Sequence, residues 1–198
     1  MTLEVSALTG AALAQGLPAL AQLRIEVFRA FPYLYDGTLD YETKYLTTFA
    51  AAPGAVIVAA WDNGEIVGCA TAAPMAAVDP AFSAPFRAKG MDIGRIFYCG
   101  ESVLRSTYRG QGLGHAFFDQ REAQARRLGG FTLSTFCAVV RPDDHPLKPP
   151  GYQPLDAFWT KRGYRKAPGM TCTFSWKDID QPEETPKTMQ FWTRELKP

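Results

Sequence analysis

The stretch from Arg95 to Val140 constrains the fold of this chain more than any other. It opens on RIFYCGESVL, an apolar run of strand length from Arg95 to Leu104, and closes on FTLSTFCAVV, from Phe131 to Val140. Between the two runs come Gly110, Gly112 and Gly114, then Leu113, Phe117, Phe118, Ala125 and Leu128 as the expected inward side of a helix. Asp119, Arg121, Glu122 and Arg127 form its expected outward side, and Gly129-Gly130 ends it. A strand, a helix and a second buried strand make a βαβ unit, with parallel strands and a right-handed crossover. The remaining segments must pack around that unit.

The glycine turn itself has chemical consequences. Glycines at alternate positions let a bulky partner approach the backbone without meeting a Cβ. They stand where a helix starts, so unpaired N–H groups and the positive end of the helix dipole point the same way. This is an anion pocket suited to a phosphate or pyrophosphate.

The flanking segments supply the rest of a core. Leu3, Val5 and Leu8 suggest a first strand, Thr9 a cap, and Pro18 the first position of a helix running to about Ala30. FPYLYDG, residues 31–37, is an aromatic connection, in which Tyr33 and Tyr35 are candidates for substrate contact. Asp40 to Phe49 reads as a second helix, with Tyr41, Tyr45 and Phe49 spaced for packing into the core. Ala55–Trp61 and Glu65–Ala72 form a hairpin around Asp62-Asn63-Gly64, and Pro80–Lys89 holds a short helix broken at Pro85. A Pro-rich loop from Arg141 to Pro154 precedes a helix at Leu155–Arg162, and two strands follow, centred on Cys172 and Phe191. DIDQPEETPK between them reads as a solvated loop. No long linker divides the 198 residues, so a single domain spanning 1–198 is expected.

Composition removes several classes of function. Lys and Arg total 21 against 20 Asp and Glu, a balance unlike that of a nucleic-acid binder. The N-terminal residues lack the pattern of a secretory signal and no long apolar run suggests a membrane span, so a cytoplasmic protein is expected. Cys69, Cys99, Cys137 and Cys172 are too scattered, with only His115 and His145 besides, for a structural zinc site, and no metal is expected. Asp143-Asp144-His145 is likewise a poor metal set, because adjacent side chains seldom converge on one ion.

Three phosphate motifs can be set against the turn. A P-loop requires a Lys after its glycines, and none is present. The dinucleotide fingerprint requires G-x-G-x-x-G, whereas the spacing here is G-x-G-x-G. The pattern [Q/R]-x-x-G-x-[G/A] is met at every specified position by Arg109-Gly110-Gln111-Gly112-Leu113-Gly114. A second segment, Ala157-Phe158-Trp159-Thr160-Lys161-Arg162-Gly163-Tyr164, is similar to an A-F-Y-x-K-x-G-F signature. In both segments and in the order of its elements, the chain resembles the GNAT superfamily of N-acetyltransferases.

That resemblance implies a mixed α/β sheet of about seven strands flanked by about four helices, with the fourth and fifth strands splayed apart. It also implies acetyl-CoA as co-substrate. Its pantetheine arm would pair with the backbone of Ser102, Val103 and Leu104. The N–H groups of Gln111, Gly112, Leu113, Gly114 and His115 would hold the pyrophosphate, and Arg109 would either add charge or cap the turn.

The chemistry then needs a base, because an alkylammonium with pKa near 10.4 arrives protonated. Glu101, a charged residue in an apolar strand, is the candidate, with an ion pair to an arginine as the alternative. A backbone N–H near Val103 would polarise the thioester carbonyl. The usual tyrosine acid is replaced by Trp159, which leaves Tyr152 or water to protonate the thiolate. Asp144 and His145 are either an acidic patch that meets a cationic amine, with His145 as a secondary base, or an ordinary turn. A small-molecule amine is the expected acceptor. A protein N-acetyltransferase and a catalytically silent acyl-CoA-binding module are the alternatives. The final strand pair offers a surface through which two copies could form a homodimer.

Overall fold

The computed structural model describes residues 3–197. Seven strands form one sheet: β1 (Leu3–Thr9), β2 (Val56–Asp62), β3 (Glu65–Pro74), β4 (Ile96–Leu104), β5 (Leu133–Val139), β6 (Arg165–Lys177) and β7 (Glu184–Glu195), in the order β1-β2-β3-β4-β5-β7-β6. Five α-helices flank it: α1 (Leu13–Phe28), α2 (Leu39–Ala50), α3 (Pro80–Ala88), α4 (Leu113–Leu128) and α5 (Asp156–Lys161). β4 and β5 are parallel and joined through α4, as the βαβ reading requires, while every other neighbouring pair is antiparallel.

Alternation along the strands sorts the core onto two faces. Val56, Val58, Ala72, Phe97 and Cys99 pack with Phe117 and Phe118 of α4. Ile57, Ala59 and Cys69 pack with Leu20 and Leu23 of α1 and Leu46 of α2. Ile96 and Tyr98 meet Phe86 of α3. The central strands are therefore buried on both sides, which is why β2 and β3 read as apolar runs, whereas β6 and β7 alternate buried and exposed residues.

The hairpin forms where Asp-Asn-Gly stands: Asn63 and Gly64 take φ of 50° and 83°, and Asp62 pairs with Glu65. Several boundaries differ from the expectation. Helix α1 starts at Leu13, so Pro18 lies inside it, because Leu13 and Gly16 are buried and packing there outweighs one missing backbone donor. Helix α3 likewise continues through Pro85, with Asp79 as its cap. Thr9 precedes a 3-10 turn without a side-chain cap bond. β7 begins at Glu184, inside the stretch expected to be loop.

Two helical faces also differ. On α2 the buried residues are Glu42 and Leu46, while Tyr41 is exposed. On α4, Arg121 and Glu122 are buried, at 1% and 4% exposure, whereas Leu128 is exposed. Residues 113, 117, 121 and 125 follow each other at i+4, so Arg121 belongs to the inward row by geometry even though its charge suggests otherwise.

The segment after α1 is fastened to the far end of the sheet. Arg141, just beyond β5, donates Nε to Pro32 O at 2.7 Å and Nη2 to Tyr33 O at 2.7 Å. Its guanidinium also grips both oxygens of Asp178, at 2.7 and 2.9 Å. Ile179 N–H donates to Leu34 O at 2.7 Å, and Tyr35 forms a β-bridge with Asp178. Burial alone would raise the pKa of Asp178, but the hydrogen bonds and charge of Arg141, with Lys187 nearby, hold it below the ordinary carboxylate value. A depressed folded-state pKa gives stability that is present above the unfolded value, about 3.9, and is lost as pH falls through the folded one. Asp178→Asn is therefore expected to lower the melting temperature at pH 7 and to flatten its decline below about pH 4, as measured by thermal unfolding against pH. Equal losses at pH 7 and pH 3 would rule this origin out.

Candidate active site

β4 and β5 pair only at Ile96↔Leu133, Phe97↔Ser134 and Tyr98↔Thr135. Beyond those three pairs the strands part, and β4 has a neighbour on the β3 side alone. The parting coincides with a bulge. The β3–β4 ladder runs Gly68↔Leu104, Cys69↔Val103, Ala70↔Ser102 and resumes at Ala72↔Cys99. A Cβ on Gly100 would lie 2.4 Å from Thr71 Oγ1, so only glycine fits there. With the extra residue accommodated, Val103 is buried with the α1 cluster, and Glu101 turns its side chain to the face covered by α1 and α2.

Antiparallel alternation fixes which backbone groups face the opening. Arg105 N–H donates to Val67 O at 3.1 Å, so 67–105 is a hydrogen-bonded pair and 69–103 is the next. Ser102 and Leu104 fall on the intervening non-bonded pairs and turn their N–H and C=O groups away from β3, towards the space that β5 has left. Val103 directs its backbone to Cys69 instead.

Glu101 is not isolated. Its Oε2 lies 2.8 Å from Arg24 Nη1, and Arg24 Nε meets Glu42 Oε2. The ion pair that the sequence left open as an alternative is thus formed. Burial would lower the proton affinity of Arg24, but Glu101, Tyr45 and Glu42 outweigh it and push it above its ordinary value. Two carboxylates face one guanidinium, so the cluster carries one negative charge in excess. Glu42 is fully buried, and its Oε1 has no hydrogen-bond partner. Burial raises the phenol of Tyr33, and raises that of Tyr35 and Tyr45 as well, the latter two beside Glu42. All three rings are neutral at physiological pH.

Tyr33 is held by its carbonyl, which accepts from Arg141 and from Trp176 Nε1 at 3.0 Å, and its ring packs at a tilt of 35° against Phe28, 4.4 Å between centroids. Asp144 is exposed, and His145 forms a turn in which Nδ1 accepts from Leu147 N–H at 3.2 Å. That bond favours the structural role for the Asp143-Asp144-His145 stretch, because it occupies one imidazole nitrogen. The loop still reaches the aromatic wall, since Phe31 packs 5.7 Å from His145 and 4.7 Å edge-on from Tyr152. Trp159 is packed between Phe136 and Trp192, at 5.0 and 5.1 Å, as part of the core.

The glycine turn opens α4 as its spacing predicts. Gly110 and Gly112 have φ of 79° and 82°, and a Cβ at either would meet nothing within 4 Å. Leu113 and Gly114 have N–H groups with no partner in the helix. His115 N–H, in contrast, donates to Gly112 O at 2.9 Å. Gln111 Nε2 donates to Thr107 O at 3.2 Å, Arg109 is exposed, and Tyr108 Oη donates to Asp62 Oδ2 at 2.9 Å, tying the turn to β2. A Cβ on Gly114 would lie 3.3 Å from Phe158 Cζ, so the two signature segments touch. Among the described residues no group of three or more His, Cys, Asp or Glu could hold a metal ion, and no helix is long and apolar enough to cross a membrane.

An open positive-φ glycine turn at a helix start thus stands beside two parted parallel strands. The chain matches the acetyltransferase (GNAT) family over residues 19–148, and it belongs to that family as an acetyltransferase. No curated protein matches it significantly. Solved structures share the fold at low identity. An N-acetyltransferase from Staphylococcus aureus Mu50 is 13% identical over 100% of both chains with a TM-score of 0.62. An acyl-CoA N-acyltransferase from Pseudomonas aeruginosa is 20% identical over 98% of this chain and 99% of the other, with a TM-score of 0.55. The YncA protein of Salmonella typhimurium, solved with its cofactor acetyl-CoA, is 10% identical over 100% and 96%, with a TM-score of 0.57.

The sequence reading missed Arg24 and Glu42. Arg24 lies four residues after Leu20 on the apolar stripe of α1, and Glu42 four before Leu46 on that of α2, which was the available signal. The close approach at Gly100 gives a direct test. Gly100→Ala is expected to cost about 1–3 kcal/mol in urea unfolding, since Thr71 is buried and stiff at χ1. Thr71→Ala in the same chain should recover most of that cost; additive losses in the double variant would show that the clash is not its source.

Proposed function

We propose that this enzyme transfers the acetyl group of acetyl-CoA to the primary amine of a small acceptor, by direct attack on the thioester. The observation that carries this reading is the juxtaposition of the parted strands with a carboxylate cluster at the bulge. The parted strands and the open turn fit the co-substrate: Leu104 and the Ser102 carbonyl would meet the pantetheine amides, and the N–H groups from Gln111 to Gly114 the pyrophosphate. Arg109 stands exposed beside them to add charge. Of the residues first considered, Val103 would shape this wall through its buried side chain, and His115 through its ring, 4.9 Å from Phe158. Bound acetyl-CoA supplies an activated acyl group on sulfur.

The acceptor would enter between Tyr33, Tyr35 and Tyr45. The excess negative charge there, with the unpartnered Glu42 Oε1, favours a cationic amine. Glu101 acts as the base. An alkylammonium, with an ordinary pKa of about 10.4, arrives protonated and without a lone pair, so one proton passes to solvent before attack. The neutral amine then attacks the thioester carbonyl, and Glu101 takes the second proton, directly or through one water, as the nitrogen–carbon bond forms and the nitrogen becomes acidic. Arg24 keeps its carboxylate oriented. Burial, with Asp156 nearby, raises the Tyr152 phenol, which keeps its proton at neutral pH. A thiol with pKa near 8.5 needs no strong acid to depart, so water suffices where Trp159 cannot serve.

A panel of amines assayed by release of free thiol tests the reading. Turnover is expected with small cationic amines, and tight acetyl-CoA binding without turnover of any amine would instead identify a silent binding module. Glu101→Gln is expected to lower kcat by about 10²–10⁴-fold, more at low pH than at high, with acetyl-CoA binding retained. An unchanged pH–rate profile counts against the base. Gly112→Val is expected to abolish binding of CoA by isothermal titration; its side chain meets nothing within 4 Å, but valine at a φ of 82° is strained, so the melting temperature should fall by several degrees while circular dichroism shows the fold retained.

A further inference from the structure

Arg121 is 99% buried, yet it pairs with no acid among the described residues. Asp119 and Glu122, on its own helix, are taken by Arg162 and Arg194, and Glu101 by Arg24. Its guanidinium lies 4.4 Å over the ring of Phe118, and Nε and Nη2 have no hydrogen-bond partner. Nη1 alone is engaged, at 3.4 Å from both Thr71 O and Glu101 O. A buried cation without a counter-charge is costly. Its two contacts show what it does there.

Thr71 and Glu101 are the residues that would form the next hydrogen-bonded pair of the β3–β4 ladder after 67–105 and 69–103. The bulge removes that pair. The guanidinium takes its place, donating to both carbonyls and holding the ladder open from beneath. The peptide between Glu101 and Ser102 is planar and trans, so its C=O and N–H point in opposite directions. With Glu101 O turned towards Thr71 O, Ser102 N–H turns towards the space left by β5, which agrees with the register. A cationic donor on the carbonyl polarises the same peptide and strengthens its N–H as a donor.

We propose that Arg121 is a positioning residue, which fixes and polarises the Glu101–Ser102 peptide so that Ser102 N–H donates to the carbonyl oxygen of the bound thioester. This rests on the acetyl-CoA reading above and moves the polarising donor from the neighbourhood of Val103 to Ser102. As the tetrahedral intermediate forms, negative charge develops on that oxygen, and a donor aimed in advance needs no rearrangement. The charge of Arg121 acts on it through one peptide group, without touching the substrate.

The test uses the full chain with acetyl-CoA labelled with carbon-13 at the thioester carbonyl. Its infrared stretch is expected to fall on binding, and in Arg121→Gln to return towards the free value, with CoA affinity changed less than about threefold and kcat lowered about 10–100-fold, below the loss from deleting a whole oxyanion donor. Arg121→Lys, which keeps the charge, should fall between the two. An Arg121→Gln protein that binds acetyl-CoA with an unchanged carbonyl frequency overturns the proposal. The native chain provides a second measurement that survives misfolding of either variant. The Ser102 amide proton should move downfield more with acetyl-CoA than with CoA, which lacks the carbonyl. Equal shifts with the two ligands overturn the inference alone, whereas no response in residues 110–114 to either ligand overturns the cofactor reading and this inference with it.

Discussion

The structure turns on the place where β4 loses its second neighbour. A strand inside a sheet has its backbone satisfied on both sides, and β4 keeps β5 for only three residue pairs. Past Tyr98 one side of β4 presents donors and acceptors to a gap instead of to a strand. An extended ligand carrying amides is the natural complement of such an edge. The bulge at Gly100 and Glu101, the buried guanidinium beneath it and the ion pair above it all sit within two residues of that point.

The glycine turn is tied into the same framework at both ends. Tyr108 binds Asp62 before it, and Arg105 bridges Glu26 and Glu65 at 3.2 and 2.6 Å. After it, the absence of a Cβ on Gly114 admits the ring of Phe158, which in turn meets Phe118. The two signatures that carried the resemblance are therefore in van der Waals contact. The first needs glycine both for the ligand and for the second.

Much of this was legible before any coordinates. The βαβ unit, the hairpin at Asn63-Gly64 and the glycine turn follow from local rules that tertiary context has no reason to override. Buried charge was not legible, because a sequence rule assigns Arg121 and Glu122 outward and promotes Tyr41 inward. The structure reverses all three, since partners distant in sequence compensate the acids and a peptide carbonyl holds the arginine. Glu101 could be singled out as a charge in an apolar strand. Arg24 and Glu42 are likewise charges on apolar stripes, but that they pair with Glu101 follows only once two helices are placed on one face. Pro18 and Pro85 misled for a related reason: one lost donor weighs little against a buried apolar turn.

Arg141 carries a mechanical consequence. It stands at the end of β5, one wall of the gap between the parallel strands, and grips the 32–33 backbone and Asp178 at the same time. The end of β5 and the loop that carries Tyr33 are thus riveted to one another. Any sideways displacement of β5 as the gap fills is passed directly to Tyr33 and its neighbours. A shift at either side of the joint is therefore shared by both, so the end of β5 and the 32–33 backbone move as one piece.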